Sequence, residues 1–416
     1  MSGAKTGLSV PRFEDQRFLT GSAVYADDIN IAGQLYGVVV RSTYAHAIIK
    51  NIDISAALGV AGVVAVYTET DLAADGVGHL PCSAALPPEA GLFVPPRPAL
   101  ARERVRYVGD QVAFVVADSK ENAEMAAEQV VIEYEELPAV VDAYSALQNG
   151  APQLWEDAPG NLIFRFPKGD EIARDAAFAN AKHVVELDIV NNKISAVPME
   201  PRSGIGEYDE MHDSYKLTCS AQGLHGIRDP MASAILNVPE DKLEIVAPDV
   251  GGGFGLKNFV YPEWVLLLWA ARKLGRPVKW TGDRGEEFAA ATQGRGIRAQ
   301  ARLALDEDGK FLALDAAMVA DLGAYLSGAS PGASTRAALT AIGGGYLIPT
   351  IYTESRGVFT NTAPVDAYRG AGKPEANFIT ERLIEAAARR FGFDPVELRR
   401  KNVVVDFPYE TAQGLT

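Results

Sequence analysis

Three short segments of this 416-residue chain could do chemistry. The densest is Val250-Gly251-Gly252-Gly253-Phe254-Gly255-Leu256-Lys257, four glycines with one aromatic and one base. Successive glycines let a backbone take positive φ and bring its N–H groups close to a ligand's oxygens, with no Cβ in the way. Between a strand and a helix, such a loop seats phosphate or another oxyanion. A tight turn without a ligand is the alternative. In the second segment, Ala221 to Pro230, Gln222 offers a neutral donor and acceptor that can hold an oxo group without adding charge. Its alternative is a strand-to-helix turn with Arg228 solvated. The third, Asp366 to Glu375, sets Arg369 among glycines, and a planar guanidinium suits phosphate or oxo recognition. An ion pair with one of the chain's many carboxylates is the alternative there.

The common nucleotide motifs fail. A G-x-G-x-x-G reading from Gly251 ends on Leu256, and from Gly253 it ends on Asn258. Gly372-Lys373 is followed by Pro374, and Ala367 stands where a P-loop needs its first glycine. Neither a nicotinamide nor an ATP site is supported.

These segments need elements to hold them. An apolar run, Leu243 to Val250, leads into the glycine loop as a strand. A helix over 262–274 follows, with Pro262 at its first position, Glu263 in its first turn, Arg272 and Lys273 in its last, and Gly275 just past the end. Before them, 20–142 reads as a compact α/β module. Its strands lie at 35–40, 63–67, 111–117 and 130–135, with a helix over 122–129 capped by Asp118 and Glu121. The proline-rich stretch 81–98 suits an ordered surface loop. A linker is expected over 143–160. Beyond it, strands fall at 183–190, 216–219, 278–280, 297–304 and 312–320, with a hairpin turn at Asp306-Glu307-Asp308-Gly309. A helix over 375–391 closes at Gly392, and Asp394-Pro395-Val396-Glu397 caps a final one.

Composition narrows the class. At this length two or three domains with substantial cores fit. The 48% apolar and 22% charged fractions are those of a globular protein, and a formal net charge of −15 disfavours nucleic acid, which needs a basic face. Cys82 and Cys219 are the only cysteines, far apart, so this chain alone builds no thiolate zinc site, iron–sulfur cluster or disulfide framework. The histidines, His46, His79, His183, His212 and His225, show no metal-ligand spacing. The longest apolar stretch, Trp264 to Ala271, is too short to span a bilayer. Met1 to Phe18 carries charges and no long apolar core, which argues against a signal peptide. The expected compartment is the cytoplasm.

Taken together, the three segments resemble the molybdopterin-binding large subunit of the xanthine dehydrogenase/aldehyde oxidase family, in its bacterial carbon monoxide dehydrogenase-like branch. The resemblance runs along nearly the whole chain. It includes Pro11-Arg12-Phe13-Glu14-Asp15, Tyr25-Ala26-Asp27-Asp28-Ile29, Tyr107-Val108-Gly109-Asp110, Pro198-Met199-Glu200-Pro201-Arg202, the Gln222 segment, Ala247 to Lys257, Arg276-Pro277-Val278-Lys279-Trp280 and the Arg369 segment. It implies an α/β (α+β) fold: an N-terminal extension (1–19), a hammerhead-type α/β domain (20–142), the linker, and the first molybdopterin-binding domain (161–416).

In such enzymes a molybdenum held by a pterin dithiolene, here expected as the cytosine dinucleotide, hydroxylates an aldehyde or N-heterocyclic carbon with oxygen from water. Electrons then leave through iron–sulfur and FAD subunits. No protein side chain is an obligate metal ligand. Carried over by position, Gln222 with Gly223 would approach a metal oxo group. Gly252, Gly253, Phe254 and Gly255 would pack around the metal, and Arg369 with Gly370 would sit beside the cofactor through their backbone. Asn258 and Ala371 would face the substrate.

The departures from the family pattern bear on substrate and completeness. Carbon monoxide-oxidising members have a cysteine where this chain has Gly370. Purine-oxidising members have a glutamate at the place of Asn258 and a phenylalanine at that of Ala371. The family's catalytic glutamate lies in the second half of the large subunit, beyond this chain. The resemblance therefore implies a partner: a second molybdopterin-domain half that carries the base. Glu200 and Glu263 have no sequence context that marks them as a substitute, and Glu263 reads as a first-turn helix residue. A non-catalytic binding or assembly module of the same fold is the alternative function.

Overall fold

Gln111–Ala117 is buried at every position, a pattern open only to a strand with neighbours on both edges and cover on both faces. The computed structural model, which describes residues 7–416, supplies those neighbours. Its strands are β1 (Leu35–Arg41), β2 (Ala47–Asp53), β3 (Val63–Thr68), β4 (Arg104–Val105), β5 (Gln111–Ala117), β6 (Val131–Glu136), β7 (Leu162–Lys168) and β8 (His183–Asn191). They continue as β9 (Ser203–Asp209), β10 (Ser214–Cys219), β11 (Leu243–Val246), β12 (Val278–Thr281), β13 (Ile297–Leu305), β14 (Phe311–Asp321) and β15 (Thr350–Val358).

Three sheets result, in the orders β11-β10-β9-β12-β1-β5-β3, β7-β15-β14-β13-β8 and β4-β2-β6. β5 lies between β1 and β3, antiparallel to both. The free edge of β1 pairs in parallel with β12, Leu35 opposite Val278 and Tyr36 opposite Lys279. The boundary expected near residue 142 is thus not a boundary between sheets: strands from before it and strands from far beyond it share one ladder. Residues 143–160, the expected linker, are packed. They form the short helix Ala143–Ala146 and bury Ala143, Ala146, Leu154 and Ala158 against the core of the five-stranded sheet. Residues 1–6 of the expected N-terminal extension lie outside the described residues.

The elements next to the glycine loop follow the sequence closely. The helix Pro262–Leu274 ends on Gly275 in the left-handed region, and Asp394 caps the helix Pro395–Asn402 through bonds from the Val396 and Glu397 N–H groups, both 2.9 Å. The helix Lys373–Phe391 starts two residues earlier than its pattern suggested. Two expectations shift further. The strand foreseen to Val250 stops at Val246, where its pairing with β10 ends opposite Thr218, and Asp249 then bridges Tyr25 instead. The helix foreseen over 122–129 runs Lys120–Ala127. Ser119 is its cap, accepting from the Asn122 N–H at 3.1 Å, while Asp118 binds the Asn122 side chain at 2.7 Å. Adjacent Asp and Ser compete for one capping role, and their order in the chain does not say which wins.

The helix Pro262–Leu274 is buried from Pro262 through Ala271 and packs across β9. Gly206 permits the contact, since a Cβ there would stand 2.5 Å from the Leu267 backbone. Among the described residues no helix is long and apolar enough to cross a membrane.

Glu263 is more than a first-turn residue. Its side chain is fully buried and accepts from Arg202 Nη1 at 3.0 Å and from Arg41 Nη2 at 2.7 Å. Arg202, also fully buried, donates Nε to Glu287 at 2.7 Å, and Arg41 donates Nε to Glu286 at 2.9 Å. Arg202 further lies 3.9 Å over the Tyr261 ring, whose hydroxyl donates to the Leu256 carbonyl at 2.7 Å. One ionic core thus joins β1, the entry to β9, the first turn of the central helix and the end of the glycine loop.

Burial alone would raise the Glu263 pKa, but Arg202 and Arg41 outweigh it and hold the group at about 2. Removing one partner of a buried ion network typically costs about 3–5 kcal/mol, so Arg202→Met is expected to lose that much stability in urea unfolding. A loss below about 1 kcal/mol would be the value of an exposed pair and would refute the buried reading. Because its folded pKa is depressed from 4.5, Glu263 contributes stability that is complete above pH 4.5 and is lost as pH falls through 2. Glu263→Gln is expected to flatten the acid limb of stability against pH in that window, and an unchanged slope would count against it.

Candidate functional site

The glycine loop is held from below. Glu200 Oε2 accepts three donors: the Gly251 N–H at 2.7 Å, Lys257 Nζ at 2.9 Å and Ser220 Oγ at 2.6 Å. Lys257 is fully buried and also donates to Ser220 Oγ. Burial pushes its pKa down, opposed by Glu200 and then Glu287. A Cβ on Gly251 would stand 2.5 Å from that of Glu200. One carboxylate therefore pins the start of the loop, its closing lysine and the end of β10. Glu200 thus acts here through Oε2 as a structural acceptor, while its buried Oε1 has no partner among the described residues.

The loop and the Gln222 segment are then stitched together. The Gln222 N–H donates to the Lys257 carbonyl at 2.8 Å, and the Gly255 N–H donates to Gln222 Oε1 at 2.9 Å. With its oxygen taken, the Gln222 amide is left with a free NH2, which meets no protein acceptor among the described residues. Gly253 makes room for this, since a Cβ there would lie 2.3 Å from Gln222 Oε1. The N–H groups of Gly252, Gly253 and Phe254 likewise find no partner among the described residues. Phe254, at φ +54°, takes a left-handed conformation rare for a non-glycine residue, and its ring is 40% exposed.

The Arg369 loop joins the same face. The Arg369 N–H donates to the Phe254 carbonyl at 2.8 Å, and a Cβ on Gly255 would stand 2.4 Å from the Ala367 carbonyl oxygen. Asp366, fully buried, accepts from the Ala329 and Ala367 N–H groups at 3.0 and 2.7 Å. Gly370 and Arg369 are exposed, and the Gly370 N–H has no protein partner among the described residues.

Asn258 is exposed on this face beside Gly223, whose missing Cβ would lie 2.4 Å from Asn258 Oδ1. Ala371, half-buried, donates its N–H to the Tyr368 carbonyl at 2.9 Å. The structure thus brings together Gln222, Gly223, Gly252 to Gly255, Asn258, Arg369, Gly370 and Ala371.

Sequence reasoning missed the residues that hold these in place. Lys257 was visible only as the base that ends the motif, and Ser220 and Arg295 gave no signal. Arg295 sits just past the strand-poor stretch before β13, and its role needs the tertiary structure.

Four unpartnered N–H groups and a free amide NH2 on an open, half-apolar face suit a ligand rich in oxygen or sulfur acceptors, held through backbone and a neutral side chain. A donor set of this kind fits the molybdenum cofactor that the family resemblance implies. Among the described residues no three His, Cys, Asp or Glu side chains are arranged to hold a metal directly. Pro198 lies 3.3 Å from where a Gly252 Cβ would stand, and its neighbours Val197 and Met199 are exposed, Met199 to 89%. A large cleft lined by Arg104, Arg106, Phe93, Trp155 and Tyr325 lies elsewhere and includes none of these residues.

Comparison with known proteins gives the family. Residues 154–403 match the family model of the molybdopterin cofactor-binding domain. Residues 20–138 match that of the aldehyde oxidase and xanthine dehydrogenase a/b hammerhead domain. The carbon monoxide dehydrogenase large chain of Hydrogenophaga pseudoflava is 36% identical over 96% of this chain and 51% of its own length. The crystal structure of quinoline 2-oxidoreductase from Pseudomonas putida 86 superposes with a TM-score of 0.92 at 37% identity, over 98% of this chain and 52% of that one. The chain thus spans about half the length of these relatives. It covers more, 85%, of the nicotinate dehydrogenase large molybdopterin subunit of Eubacterium barkeri, at 30% identity. By these matches the chain belongs to the xanthine dehydrogenase and aldehyde oxidase family of molybdopterin-binding proteins.

Proposed function

We propose that this chain forms one wall of a molybdenum-cofactor site and serves in the oxidative hydroxylation of an aldehyde or N-heterocyclic carbon. The observation that carries this is the set of free donors around Gln222 and Gly252 to Phe254, in a chain of this family. The cofactor, when bound, supplies the redox chemistry and delivers oxygen derived from water. The chain's own contribution is to hold and orient. The Gln222 NH2, fixed because Gly255 occupies its carbonyl, donates to an acceptor on the cofactor. The loop N–H groups line its edge without adding charge. Fixed dipoles aimed at a reacting centre stabilise developing negative charge at no cost in reorganisation.

The cytosine dinucleotide is the proposed cofactor form, with iron–sulfur and FAD subunits as electron acceptors. A second molybdopterin half carrying the base is proposed as a further partner, because Glu200, the carboxylate against the loop, is tied through Oε2 to Gly251, Lys257 and Ser220. The two unpaired cysteines, Cys82 and Cys219, suit a reducing compartment such as the cytoplasm. Gly370 argues against carbon monoxide as substrate, and Asn258 with Ala371 against purines, on the family pattern. A non-catalytic assembly module of the same fold remains the second reading, but a loop built to expose so many donors has no evident use in one.

Coexpression with candidate partner halves and subunits tests both. Molybdenum and hydroxylase activity are expected only in the complex. Activity of the chain with no partner would refute the need for a second half, and molybdenum-free, inactive complexes would favour the assembly module. In an active complex Gln222→Ala is expected to lower kcat about a hundredfold, the scale for losing one preorganised donor, with molybdenum content unchanged. Gly253→Ala, which drives a Cβ into the Gln222 amide, is expected to act in the same direction. Wild-type kcat in both would remove Gln222 from the mechanism.

A further inference from the structure

Arg295 is a non-glycine residue in the left-handed region, at φ +64°, and only 9% exposed. Such a conformation is disfavoured for a side chain of this size and persists only where its surroundings over-determine it. Its surroundings do. Nη1 donates to the Tyr368 carbonyl at 2.9 Å and to Glu375 Oε1 at 3.2 Å. Nη2 donates to the Arg369 carbonyl at 3.0 Å. The guanidinium carbon lies 4.8 Å from the centre of the Tyr368 ring. Next to it, a Cβ on Gly294 would stand 2.3 Å from that of Tyr368, so the approach of the two segments is as close as backbone permits.

A trans peptide points its C=O and the following N–H in opposite directions. With the Tyr368 carbonyl drawn inward to Arg295, the Arg369 N–H faces the other way, and it reaches the Phe254 carbonyl at 2.8 Å. With the Arg369 carbonyl drawn inward as well, the exposed Gly370 N–H must point away from the buried guanidinium, towards the open face. We propose that Arg295 is a positioning residue for the cofactor site. By reading two successive carbonyls, it aims one N–H at the glycine loop and the next at the ligand. Lysine cannot replace it, because a single ammonium lacks the planar fork that matches two carbonyls at once. This inference rests on the cofactor reading given above, yet it makes a claim about the loop that needs no cofactor.

The experiment compares Arg295→Gly and Arg295→Lys with wild type in the full complex. Glycine accepts the left-handed backbone and removes the whole side chain, while lysine keeps charge and stem and removes the fork. Peptide-resolved hydrogen exchange is read over 366–372, and the Mo(V) electron paramagnetic resonance spectrum is recorded alongside. Both variants are expected to exchange the Arg369 amide about tenfold faster, as suits the loss of charge-assisted bonds, with exchange in the helix Pro262–Leu274 unchanged. The Mo(V) g-values are expected to shift, a readout that a purely structural role would not move. Wild-type exchange over 366–372 in Arg295→Gly or in Arg295→Lys overturns the proposal, as does an unshifted spectrum in a variant that exchanges faster. If Arg295→Gly does not fold, Arg295→Lys alone carries the comparison. A wild-type complex without molybdenum instead overturns the cofactor reading, and the exchange result still decides the role of Arg295 in the loop.

Discussion

The burial of charge beneath the glycine loop is the constraint on which the site depends. Arg202, Glu263 and Lys257 are each fully enclosed, and an enclosed charge is tolerated only when paired and hydrogen-bonded. Pairing them forces distant parts of the chain into register. Arg41 comes from β1, Arg202 from the approach to β9, Glu263 from the central helix, and Glu286 and Glu287 from the following short helix. An apolar core of the same volume would tolerate small slips between these elements. An ionic one does not, because a slip strands a charge.

That rigidity is passed to the loop by two short links. Tyr261, stacked against Arg202, holds the Leu256 carbonyl, and the Glu200 carboxylate holds Gly251 and Lys257. Between these fixed ends the backbone is close-packed against Glu200, Gln222 and the Ala367 carbonyl, at places where no Cβ would fit. The absence of side chains there is thus a packing requirement as much as a conformational one. Glu200 and Gln222 take the N–H groups of Gly251 and Gly255, and those of Gly252, Gly253 and Phe254 between them stay bare among the described residues.

The face so built is open. Phe254, Met199 and Val197 are exposed beside it, and its acidic residues are engaged in holding the scaffold. A wall of neutral donors orients and polarises, but it moves no proton. The division of labour follows from electrostatics. A free carboxylate among these N–H groups would accept their bonds and leave none for the cofactor proposed above.

Much was legible in the sequence, for local reasons. Pro262 and Gly275 bound a helix because one lacks an N–H and the other lacks a Cβ, and both act within a turn of the chain. The glycine motif, Gln222 and Arg369 were recognisable as residue types in order, so the family and the candidate site could be read from them. The rest depended on contacts between residues far apart in the chain. Glu263 read as a helix-start carboxylate, and only burial against Arg202 and Arg41 made it a core ion. The strand after Leu243 had the composition to run to Val250, but its pairing with β10 ends at Val246. Arg295 carried no signal, since its meaning lies in two carbonyls of another segment. Local sequence determined which residues could start, stop or line a loop. Tertiary structure decided which charges are buried and which N–H groups are left free, because both depend on what packs against them.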